Sequence, residues 1–193
     1  MTLRYDTRSR VSTYTQSWVS GAEPDFGVFE SIATSVVGSG GTSTITFSSI
    51  PSGYKHLQLR FLARGSNGEY LSLRMNSDSA SNYSFHRLTG DGGSASANAS
   101  TSRSDMLLNA ASGTSSTANI FNVGIVDILD YADTNKFKTI RVLTGVDFNG
   151  SGSVELISNN WRSSSAITTL TITQNSSGTI QQYSSFALYG IRG

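Results

Sequence analysis

Residues 56–64 read HLQLRFLAR, and this run constrains the fold more than any other in the chain. Leu57, Leu59, Phe61 and Ala63 fall on one side of an extended backbone. Gln58, Arg60 and Arg64 fall on the other, with Leu62 as the exception. Successive side chains of a strand point to opposite faces, so a period of two marks a strand with one face in a core. The competing pattern is missing. Wherever apolar residues begin to recur at three-and-four spacing, Gly, Ser or Thr interrupts them, and a helix needs that stripe to bury itself. The chain is therefore expected to build its core from strands.

Further strands follow from the same reading. Tyr70 to Met75 sets Leu71, Leu73 and Met75 on one face, and Gly65-Ser66-Asn67-Gly68 before it predicts a hairpin. Pro51-Ser52-Gly53 and Gly38-Ser39-Gly40-Gly41 read as turns, the second as a hairpin turn. Ser43 to Phe47 is short and β-branched. Ile120 to Leu129 is apolar on both faces, which predicts a strand central to the fold or covered on its second side. Lys136 to Asp147 alternates through Ile140, Val142, Thr144 and Val146, and Val154 to Ile157 is a short run. Ala166 to Gln174, Phe186 to Ile191, Phe29 to Val37 and Tyr83 to Leu88 complete about nine to eleven strands. Residues 89–104 (TGDGGSASANASTSRS) and 112–118 (SGTSSTA) are small and polar, and both are expected to be exposed loops. No internal repeat is evident. The expected fold is all-β: an antiparallel β-sandwich, jelly-roll-like, because many antiparallel strands must manage their edges.

A chain of 193 residues suits one domain. Residues 29–193 hold the strand pattern, and residues 1–28 do not. The latter carry Arg4, Arg8 and Arg10 with Tyr5, Tyr14, Trp18 and Phe26, and Pro24 and Gly27 punctuate the join. Large aromatics without a core pattern have no partner within their own segment. They read as an extended arm whose aromatic and Arg anchors lie on another protein chain.

The chemistry-bearing residues form no convincing constellation. There is no cysteine, so no disulfide, thiolate metal site or cysteine nucleophile is available. His56 and His86 are too far apart in sequence to read as a ligand pair, and no metal or cofactor is expected. Serine is abundant but no G-x-S-x-G elbow marks one of them, and no catalytic residue is assigned. Asp127, Asp130 and Asp133 form the one acidic run. Their spacing does not match a calcium loop and reads as turn and cap chemistry. Asn82, Asn98, Asn149 and Asn175 begin N-x-S/T triplets of the kind a Ser/Thr-rich chain produces by chance. A net charge of +1 argues against a strong nucleic-acid binder. No apolar run is long enough to span a membrane. The arginines near the N-terminus are not followed by an apolar leader core, so no secretory signal is expected. Trp161, in NNWRSS, is expected in an exposed polar turn, as a glycan-stacking or interface aromatic.

The run FESIATSVVGSGGTSTITFSSIPSGYKHLQLRFLARGS, its continuation LSLRMNSDSASNYSFHRL and the ending ALYGIRG resemble a pattern in small virion proteins of tailed bacteriophages, including phages of cyanobacteria and marine bacteria. The likeness covers most of residues 29–191. It implies a β-sandwich on the outside of the virion, a capsid decoration (cement) protein bound to the major capsid protein, with no catalytic residues to carry over. A fibre or receptor-binding module recognising host glycans is the alternative, with Trp161 and residues 89–104 as its recognition elements. A homotrimer would present three arms at once, and multivalent attachment would turn modest contacts into avidity.

Overall fold

In a computed structural model, residues 28–110 and 112–193 are described, and they form twelve strands and no helix. In chain order these are β1 (Phe29–Val36), β2 (Thr44–Phe47), β3 (His56–Ala63), β4 (Tyr70–Met75), β5 (Tyr83–Gly90) and β6 (Ala95–Arg103). They continue with β7 (Met106–Ala110), β8 (Asn122–Ile128), β9 (Lys138–Asp147), β10 (Gly152–Trp161), β11 (Leu170–Gln174) and β12 (Ser185–Ile191). An eight-stranded sheet, ordered β1-β12-β3-β8-β9-β10-β5-β6, packs on a four-stranded sheet, ordered β2-β11-β4-β7, and every pairing is antiparallel.

The winding becomes clear when the β5–β6 and β9–β10 hairpins are set aside. The remaining strands pair first with last (β1·β12), second with second-last (β2·β11), then β3·β8 and β4·β7, alternating between the sheets. That is one long antiparallel hairpin rolled up, the jelly roll. The two extra hairpins join side by side and widen one sheet beyond β8.

The alternation of HLQLRFLAR holds along β3, where Leu57, Leu59, Phe61 and Ala63 are buried and Leu62 faces out, but Arg64, just past the strand and expected on the outward side, is buried as well. Phe186 and Leu188 of β12, Val126 and Ile128 of β8, and Ile140 and Val142 of β9 complete that side of the core. Leu71, Leu73 and Met75 meet them from β4, and Leu170 and Ile172 from β11. Asn159 of β10 joins the layers: its amide oxygen accepts from the Leu107 N–H (3.3 Å) and its amide nitrogen donates to the Leu107 carbonyl (3.1 Å).

Three expectations are corrected. Gly65–Gly68 does not close a hairpin, because β3 and β4 lie in different sheets, and neither does Gly38–Gly41, because β1 and β2 do too. Turn residues show where the chain reverses, not which sheet receives the next strand. Residues 89–104 are not a loop. They hold the end of β5, an Asp91–Ser94 turn and all of β6, because backbone pairing to β5 orders small polar residues without burying them. Residues 112–118 contain no strand, as expected.

Close packing at one cross-strand pair supplies a test. Gly124 sits opposite Phe61, and a Cβ there would lie 2.2 Å from the ring. Gly124→Val is expected to cost about 1–3 kcal/mol by overpacking, and Phe61→Ala about 3–5 kcal/mol by cavity formation. In urea titrations the double variant should lose less than the sum of the two, since the added methyls occupy the space left by the ring.

Candidate interaction site

The widened sheet has an inner face turned to the core and an outer face turned to solvent. Strand register aligns the outward side chains in rows. One row runs Leu62, Val123, Gly145, Val154, Gly90, Ala95 from β3 to β6. The next runs Ile125, Leu143, Leu156, Leu88, Ala97 from β8 to β6. The Leu, Ile and Val side chains of these rows are 38 to 62% exposed. Isolated exposed apolar residues are ordinary, but two adjacent rows across several strands form a continuous patch, and such patches mark interaction sites.

The patch has defined borders. On the β3 side Arg60 lies over the rings of Phe29 and Tyr189, at 5.1 and 5.4 Å, and donates to Gln58 Oε1 at 2.8 Å. Its guanidinium covers what would otherwise be apolar surface. Along the next row Asp127 accepts from Gln58 (2.8 Å) and Arg141 (2.7 Å). Burial pushes the Asp127 carboxyl up, but these partners outweigh it and hold the group below its usual range. Shallow open concavities of about 440 and 310 Å³ meet at Leu156 and Ser158, one floored by Leu88, Ala97 and Ala99, the other by Leu129, Thr139 and Arg141. The first is mainly apolar and the second sets Leu129 and Leu156 beside polar and charged groups, a mixture that suits insertion of side chains from a protein partner.

Arg4, Tyr5, Arg8, Arg10, Tyr14, Trp18 and Phe26 lie outside the described residues. Trp161 is a correction. It ends β10 rather than occupying a turn and is 2% exposed, with its ring stacked near Tyr83 (6.3 Å) and Nε1 donating to Asp78 Oδ2 (2.8 Å). Enclosed in this way it has no free face for a sugar. The sequence suggested a turn because Asn159 and Asn160 look polar, but Asn159 points inward to bridge the layers. His56 accepts from the Asp130 N–H (3.0 Å), while His86 lies on the outer face beside Leu156. Asp127, Asp130 and Asp133 are each matched to cations: Arg141, Lys55 with Lys136, and Lys136. Among the described residues no group of three His, Cys, Asp or Glu side chains could hold a metal ion.

The sequence alone does not mark the patch as a site; its one signal is the both-sided apolarity of Ile120 to Leu129. Comparison of the chain with family models, with curated proteins and with solved structures finds no match.

The Trp161 environment makes a pH-dependent contribution. Burial raises the Asp78 carboxyl, but hydrogen bonds from Asn82, Trp161 and the Ala80 N–H overcome this and leave it below 3.8. A depressed folded-state value means stability that is present above pH 3.8 and is lost as pH falls below it. Asp78→Ala is expected to cost about 1–3 kcal/mol at neutral pH by leaving the buried indole N–H unpaired. The gap between variant and wild type in urea midpoints should shrink as the pH is lowered from 6 to 3.

Proposed function

We propose that this chain is a structural protein of a tailed-phage particle, a capsid decoration protein that seats on the major capsid protein through the outer face of the eight-stranded sheet. One observation carries the reading: two adjacent apolar rows, Leu62 to Ala95 and Ile125 to Ala97, stand open to solvent on a sheet braced from behind by a packed core. Charge is absent from the rows and gathers at their border, in Arg60, Asp127 and Arg141. Protein interfaces share this arrangement of an apolar centre and a polar rim. The fold and the sequence resemblance to small virion proteins point the same way. Residues 1–28, with Tyr14 and Trp18 among their anchors, are assigned to a second contact with the shell or a neighbouring copy, so that attachment is multivalent. The reading places the protein on the capsid exterior and gives it no reaction. The fibre alternative loses its stacking surface, since Trp161 is enclosed.

The test is co-sedimentation of full-length protein with purified heads of the phage that encodes it. Leu143→Asp/Leu156→Asp is expected to weaken binding by about 100-fold or more, as two central apolar anchors are lost, with the melting temperature unchanged because both side chains face solvent. Tyr14→Ala/Trp18→Ala should weaken it independently. Wild-type occupancy by the Asp double variant, or particles not labelled by antibodies against the chain, would overturn the reading.

A further inference from the structure

The widened sheet ends at β6, and this edge is unlike the others. β6 is bonded to β5 along one side only, and of its residues only Ser100 and Arg103 are even half-covered. Edge strands expose a row of unpaired N–H and C=O groups, and proteins ordinarily guard them with charge, proline, bulges or shortness. The opposite edge, β1, has a bulge between Ser31 and Ala33 and carries Glu30, and the edge β2 is four residues long. Between the Asp91–Ser94 turn and the bulge near Thr101, β6 pairs with β5 without a register break and has no charge and no proline. Six consecutive residues of unguarded backbone, Ala95 to Ser100, suggest a strand meant to be paired.

The sequence of β6 also indicates its partner. Read outward from Asn98, the strand is nearly the same in both directions: Ala97 mirrors Ala99, Ser96 mirrors Ser100, Ala95 answers Thr101, and Ser94 mirrors Ser102. An antiparallel pairing about a two-fold axis at Asn98 would therefore set alanine against alanine, hydroxyl against hydroxyl and amide against amide. Small and hydroxyl pairs of this kind are favourable across strands. Register to β5 puts Ala95, Ala97 and Ala99 on the outer face with Gly90, Leu88 and His86. Pairing would place the alanines of both copies on that one face and continue the apolar rows from one molecule into the next. A trimer needs β6 to meet a different edge, and the mirror symmetry about Asn98 favours the strand meeting itself, as an isologous contact requires.

We propose that β6 is a self-association edge, at which two copies of this chain join their eight-stranded sheets in antiparallel register centred on Asn98. The proposal concerns the free protein and stands apart from the identity of any particle it decorates.

The chain has no cysteine, so single substitutions report position directly. Opposed Cα atoms of an antiparallel pair lie about 4.5–5.5 Å apart, within the roughly 4.4–6.8 Å that a disulfide spans. Full-length Asn98→Cys under mild oxidation is expected to convert mostly to a covalent dimer. Ser100→Cys should give no more than background, because its two copies would lie roughly 13 Å apart along the strands, whereas Ser96→Cys/Ser100→Cys should link as fully as Asn98→Cys. In sedimentation equilibrium without oxidant, wild type should show twice the 20.6 kDa chain mass. Ala97→Lys/Ala99→Lys, which opposes like charges on exposed positions, should sediment as monomer with an unchanged melting temperature. A monomeric or trimeric wild type, cross-linking as strong at 100 as at 98, or a Lys double variant that remains dimeric would each overturn the proposal.

Discussion

A sheet has two faces, and in this molecule only part of one is covered. The four-stranded layer packs on the inner side of its larger partner, with β7 reaching beneath β9, β10 and β5. No described element lies over the outer side, where Leu62, Val123, Ile125, Leu143, Val154, Leu156 and Leu88 are exposed. The exposed rows start on jelly-roll strands, with Leu62 on β3 and Val123 and Ile125 on β8, and the two inserted hairpins extend them to the sheet edge. Antiparallel sheets tolerate a solvated face when that face is polar. Here the arginine, aspartate and glutamine needed to make it so stand along the border, and the centre is left apolar.

With no disulfide available, buried polar side chains stiffen the parts of the sandwich that strands do not reach. Arg64 donates to the carbonyls of Ser116, Thr117 and Ile120, closing the segment ahead of β8. Gln174 accepts from Ser66 N–H and donates to Asn67, holding the β3–β4 crossing against β11. Lys138, fully buried, donates to the carbonyls of Asp133, Lys136 and Ser164. Burial pulls its ammonium below the usual lysine value, and the nearby Asp133 and Asp130 partly restore it. The carbonyls belong to half-buried or exposed loop residues, and the buried side chains that reach them do for loops what ladder bonds do for strands. A braced inner face is what allows the outer face to present a fixed shape.

The strands were legible because period-two patterning is local. Leu57 to Ala63, Leu71 to Met75 and Ile140 to Val142 declared their faces within a few residues. Sheet membership was not legible, because β1 pairs with β12 and β3 with β8 through contacts far apart in sequence that no local pattern encodes. The sequence of β6 looks like a loop for a related reason: Ala, Ser and Asn carry little β preference of their own, and its order comes from the ladder with β5. Trp161 failed in the opposite direction. Its polar neighbours suggested a turn, whereas Asn159 is an inward-facing bridge and Arg162 is tied by its N–H to the Asn82 carbonyl. For the outer patch, the signal was the second apolar face of Ile120 to Leu129, and it needed the register of β9 and β10 to become a surface.

Charge is unevenly placed on this molecule, and its placement bears on how the faces are used. Lys55, Lys136, Asp130 and Asp133 crowd the turn between β8 and β9, where the two lysines hold the Asp130 carboxyl down to about 2. That network keeps its full ion pairing above pH 3.8 and surrenders it only as the pH falls towards 2. The outer rows and the part of β6 before its bulge have no comparable groups. A chain with a net charge of +1 gains little from overall repulsion between copies, so an uncharged face and an uncharged edge would be poor features in a protein that works alone. If the protein packs beside its own copies on a shared surface, as proposed, the features become consistent with each other: the charged turn would stay in water, a partner would cover the rows, and a strand of matching sequence would complete the edge.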